Sequence, residues 1–108
     1  MVNVSLYAIE APMSGLVKIG SSSDPTHRFK TIQAMSPEIL TPRIISPVNG
    51  RQLEKYFHKQ FEHLRHHGEW FKQKPELIVA LFREEFKQHD EAVIELTWKI
   101  LGEVLGKN

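Results

Sequence analysis

The sequence predicts an α+β domain: a small three-stranded antiparallel sheet flanked by helices in the order β-β-α-β-α, with additional C-terminal helices. Three observations lead there. Two short N-terminal segments alternate apolar and polar residues around a turn, a central segment repeats its apolar residues at helical spacing, and the last third carries helical patterning. With 108 residues and no cysteine, the chain suits one compact domain held by packing, without a disulfide framework or a cysteine-based zinc site.

In the first segment Val4, Leu6 and Ala8 alternate with Ser5, Tyr7 and Ile9, and in the second Leu16, Lys18 and Gly20 alternate with Val17 and Ile19. Pro12, Ser14 and Gly15 between them are turn formers, so the pair reads as a β-hairpin. If Val4, Leu6, Val17 and Ile19 face the core, Tyr7 and Lys18 lie on the opposite face, which is expected to form the floor of a site. Asp24-Pro25 then supplies a capping side chain and a fixed φ for a first helix, with Phe29 and Ile32 inward and Arg28 in its first turn. A third strand is expected around Arg43 to Ile45. Pro42 and Pro47 on either side make it short or an edge strand.

After the Asn49-Gly50 turn, Leu53, Phe57, Phe61 and Leu64 recur at i, i+4, i+8 and i+11, which predicts one amphipathic helix from Arg51 to His66 ended by Gly68. Glu54 and His58 lie one turn apart on its flank. Pro75 begins a third helix with Leu77, Ile78, Leu81, Phe82 and Phe86 inward, and Asp90 caps a fourth with Ile94, Trp98, Leu101 and Leu105 in one row. The expected division is a core of residues 1–74 and a helical extension of residues 75–108 packed on the same domain.

Charge divides along the same line. Residues 1–74 hold ten Lys/Arg against six Asp/Glu, and residues 75–108 hold four against seven, so the formal net charge of +1 conceals a basic N-terminal part. A polyanion would bind there, although the same asymmetry also arises from ordinary solvated surface. The longest apolar run, Leu77 to Phe82, falls far short of the roughly 20 residues of a membrane span. A cytoplasmic protein is expected.

Ser5-Leu6-Tyr7, Lys18-Ile19-Gly20, Arg28 and Glu54, in this order and spacing, together with the stretches from Leu53 to His58 and from Gly68 to Phe71, resemble the GIY-YIG nuclease superfamily. Ser5 stands for the first motif glycine and Lys18 for the second motif tyrosine, a pattern similar to the phage-type branch. The resemblance covers about Val4 to Phe71. It implies a divalent-metal-dependent endonuclease that hydrolyses DNA phosphodiester bonds with Mg²⁺ or Mn²⁺ as cofactor.

The same resemblance implies the site. Glu54 is its metal ligand, an oxygen donor of the kind Mg²⁺ accepts while keeping several waters. Tyr7 is its candidate general base. A phenol has a pKa near ~10, and Lys18 on the neighbouring strand is expected to favour the phenolate or to contact the phosphate. Arg28 carries a planar fork for two phosphate oxygens. His58 is placed to bind the leaving phosphate or assist proton transfer, and Glu69 to orient Arg28 or another basic group. Outside the resemblance each residue has a plainer reading: Tyr7 and Lys18 as strand-surface groups, Arg28 and His58 as solvated helix residues, Glu54 as a partner of Arg51 or Lys55. His63, His66 and His67 supply too few ligands on one helix face for a structural zinc site.

Two other classes compete with the enzyme. One is a catalytically inactive GIY-YIG-like module that only binds nucleic acid, and the other is a domain that self-associates through its C-terminal helices.

Overall fold

The computed structural model describes residues 3–87. Five antiparallel strands form one sheet in the order β3-β1-β2-β5-β4, not the three-stranded sheet expected from the sequence. The expected strands are present as β1 (Ser5–Ala11), β2 (Leu16–Ser22) and β3 (Thr41–Ser46), with β3 at an edge as its proline requires. The two additional strands, β4 (Arg65–His67) and β5 (Trp70–Lys72), are three residues each. That length is too short to display a period of two, and Arg65-His66-His67 has no apolar member to alternate.

The helices are α1 (Pro25–Ala34), α2 (Gly50–Gln60) and α3 (Pro75–Lys87). Helix α2 stops six residues before the expected end at His66. A 3-10 turn over Glu62–Leu64 then keeps Leu64 in the core, after which the chain enters β4 and reverses at Gly68, whose φ of 52° is left-handed. A helix and a 3-10 turn place Leu64 on the same side, so the apolar spacing alone did not separate them. The expected helix capped by Asp90 lies outside the described residues, as does any self-association through it.

Both faces of the sheet are covered. Leu6, Ala8, Val17 and Ile19 meet Phe57, Phe61, Leu64, Phe71, Leu77 and Leu81 in the larger core, so α3 belongs to the same hydrophobic unit as the sheet. Phe57 and Phe71 are fully buried there and each removes on the order of 150–250 Å² of surface from water. Phe82 and Phe86, expected inward, are half-exposed, and Phe82 lies under the Arg43 guanidinium at 4.5 Å.

The second face was expected to be an open floor, and it is not. Phe29 and Ile32 of α1 pack on Tyr7, Ile9, Ala11 and Leu40, leaving Tyr7 3% exposed. Asp24 caps this helix as expected, its Oδ1 accepting from the His27 amide at 3.1 Å. Gly50 is where α2 begins against β1. A Cβ on it would stand 2.8 Å from the Val4 carbonyl oxygen, to which its amide donates at 2.8 Å.

Candidate functional site

The site forms where the sheet runs out of partners. Strand β5 pairs with β2 only along Leu16, Val17 and Lys18, and the last link is the Ile19 amide donating to the Glu69 carbonyl at 3.0 Å. Beyond it, among the described residues, the outer edge of β2 from Gly20 to Ser22 has no neighbouring strand. Helix α2 fills this notch from the larger-core side. The His58 Nε2–H donates to the Ile19 carbonyl at 2.7 Å, and the Ser21 hydroxyl donates to Glu54. Donation to a carbonyl places a proton on Nε2.

Glu54, His58 and Glu69 each bring one ligand atom to the notch, all within 4.8 Å of one another, and this is the one such cluster among the described residues. Glu54 Oε1 and His58 Nε2 are 3.9 Å apart. Neither Arg51 nor Lys55 pairs with Glu54, so its plainer reading as their helix-surface partner does not hold. The two carboxylates are hydrogen-bonded to each other. Burial, followed by the hydrogen bond with Glu69, raises Glu54 above the usual carboxylate range, although Ser21 and His58 oppose this. Burial alone would also raise Glu69, but hydrogen bonds from Glu54 and Lys18 and the Lys18 charge outweigh it and draw Glu69 down.

Tyr7 enters from the other face. Its hydroxyl lies directly over Gly20, whose missing side chain makes the space: a Cβ there would stand 2.6 Å from the ring carbon Cζ. Burial, then the charge of Glu69, and more weakly Glu54, push the phenol up to about 12, while Arg28 pulls it down. Arg28 therefore acts on Tyr7 by its charge, exposed on the helix that covers Tyr7's face.

Lys18 behaves differently from the expectation. Its Nζ lies 3.2 Å from Glu69 Oε1 and 5.5 Å over the Trp70 ring, and the cation that lowers the Tyr7 pKa is Arg28. The structure thus brings Glu54 and His58 together in one notch with Tyr7 over Gly20 beside it, brings Lys18 there through Glu69, and sets Arg28 where its charge reaches Tyr7. The sequence reading had given Glu69 only an orienting role and Ser21 none. Glu69 was visible within the Gly68–Phe71 stretch, but its approach to Glu54 depends on the unforeseen β4–β5 hairpin.

Beside the notch opens a groove of about 580 Å³ lined by Ser21, Glu54 and His58 together with Arg51, Lys55 and Lys59. His63 and Glu76 pair at 3.4 Å, and His66 contacts His67, outside this groove.

Taken together, the fold and the site define a small α+β domain with a carboxylate–histidine cluster beside a basic groove. The chain belongs to the T5orf172 domain family, whose family model matches residues 5–93. This is a phage-type domain related to nuclease-like folds, compatible with a nuclease-like or DNA-binding module; the match is to T5orf172 rather than to the GIY-YIG superfamily itself. No curated protein and no solved structure matches the chain. No described helix is long and apolar enough to cross a membrane.

Proposed function

We propose that this protein is a GIY-YIG-type endonuclease that hydrolyses DNA phosphodiester bonds with a divalent cation. The observation that carries the reading is the convergence of Glu54, Glu69 and His58 beside Tyr7 and Arg28. Two carboxylates with a small polar shell suit a hard cation such as Mg²⁺ or Mn²⁺, and Glu54 and Glu69 would hold it. Bound there, the cation would supply charge to the phosphoryl oxygens and acidify a water.

The chain's own groups do the rest. Arg28, exposed at the rim, draws the scissile phosphate in and offsets the charge that builds on its oxygens. Tyr7 enters the reaction protonated, as its pKa of about 12 requires. Cation charge at Glu54 and Glu69 would offset two of the causes that hold that pKa up, leaving Arg28 to favour release of the phenol proton to solvent; the phenolate then accepts a proton of the attacking water. One P–O bond forms to that water, one breaks, and the departing oxygen takes a proton from solvent. His58 holds the β2 edge through Ile19 and keeps Glu54 in place. Lys18 fixes Glu69.

Nicking of supercoiled plasmid in Mg²⁺ or Mn²⁺ tests this. Wild type should nick, EDTA should abolish nicking, and Glu54→Ala should be inactive while folded. Nicking that persists in EDTA would defeat the metal reading.

One observation favours the second reading, a binding module without catalysis. The Lys18 ammonium already sits 3.2 Å from Glu69, where it acts as an internal counter-ion in place of a metal. That reading expects DNA binding unaffected by metal and no nicking by wild type.

A further inference from the structure

Helix α2 carries two neighbouring rows. Glu54 and His58, one turn apart, belong to the notch, and Arg51, Lys55 and Lys59 recur at i, i+4 and i+8 beside them along the same groove. Successive members of such a row are about 6 Å apart along the axis, so three of them span about 12 Å. All three are exposed, and among the described residues none is in an ion pair. The remaining charges of the groove cancel, since Arg65 and Glu62 are bound to each other at 2.7 Å.

A row of three uncompensated cations on one helix face is ordinarily held apart by water. Here it borders the notch, in a groove whose one other anionic group, Glu54, is turned towards Ser21 and Glu69. The groove therefore presents positive charge in a line, at a spacing of the order of one phosphate step.

We infer that Arg51, Lys55 and Lys59 form a track for the phosphodiester backbone of the DNA strand that continues from the scissile phosphate. This rests on the hydrolytic reading of the adjoining site, which it extends by naming the surface that holds the strand. Phosphate contacts of this kind fix register and carry affinity without selecting sequence. Each cation that neutralises a phosphate releases counter-ions, and this provides a quantitative signature.

The test is fluorescence anisotropy with a short fluorescein-labelled DNA duplex in EDTA, titrated over a range of NaCl concentrations. The variant R51Q/K55Q/K59Q keeps good helix formers and breaks no ion pair or side-chain hydrogen bond; circular dichroism checks its fold. The control K72Q/K74Q/R83Q removes three exposed cations outside the groove. The plot of log Kd against log salt should become shallower by about 2 to 3 in the row variant, about 0.9 per lost phosphate contact, and should keep the wild-type slope in the control. An unchanged slope in the row variant, an equal loss in the control, or a wild type that does not bind the duplex would each overturn the track. Failure of the hydrolytic reading shows separately, as a wild type that binds with the full slope but does not nick in Mg²⁺.

Discussion

The ring of Tyr7 rests on Gly20, with its hydroxyl in the space a Cβ on the glycine would take, and the two are opposite one another in the register of β1 and β2. Glycine is needed there because the neighbouring backbone must leave room for a buried phenol aimed at the edge of the sheet. Gly20→Ala should therefore displace Tyr7 and cost more in cleavage than in stability. Plasmid nicking should fall by about 10²-fold or more, as expected for misplacing a reacting group by about 1 Å, while circular dichroism stays native. A variant that nicks at the wild-type rate would show that the ring position does not matter.

Tyr7→Phe removes the hydroxyl alone. Cleavage should drop by about 10²–10⁴-fold, the usual worth of a general base, with duplex affinity retained. Loss of affinity equal to the loss of rate would make Tyr7 a binding group.

The titration of Tyr7 has a defined direction. Its folded pKa, about 12, stands above the unfolded value near 10, so the native state binds the extra proton in that window. The associated stability is present below pH 10 and is lost as pH rises towards 12. Ultraviolet difference spectra should show one late-titrating tyrosine that is absent in Tyr7→Phe. Its midpoint should fall in Glu69→Gln and rise in Arg28→Ala, and no movement in either would refute the assigned charges.

Metal affinity should report on both carboxylates. Glu54→Gln and Glu69→Gln should each weaken Mn²⁺ binding by about tenfold or more in calorimetry. Because a cation competes with protonation of Glu54, which is raised above the usual carboxylate range, wild-type affinity should increase with pH through that range. If Glu69→Gln binds Mn²⁺ as wild type does, Glu69 serves only Lys18.

Phe71→Ala tests the larger core. Phe71 is fully buried beneath the Arg65 guanidinium at 4.8 Å, and its loss should cost about 3–5 kcal/mol in urea unfolding. A cost below about 1 kcal/mol would mean that β5 contributes little to the fold.

The hairpin, the capped α1, the edge position of β3 and the start of α2 were legible in the sequence. Each rests on local chemistry: alternation in β1 and β2, Asp24-Pro25 as a cap, Pro42 barred from a central ladder, and Leu53 and Phe57 one turn apart. The placement of Tyr7, Arg28 and Glu54 in one site followed from the family resemblance rather than from these patterns. What only the tertiary structure decided is non-local. Strands β4 and β5 exist because each pairs with a neighbour, not because three residues prefer to be extended. Their hairpin carries Glu69 to Glu54, and a hydrogen bond between residues fifteen apart in sequence leaves no periodic trace. Likewise the positive charge that reaches Tyr7 is that of Arg28 and not of Lys18, which lies 3.2 Å from Glu69. Sequence fixes which charges a chain owns; the distances between them, on which every pKa and every ligand set depends, come into being only when the chain is folded.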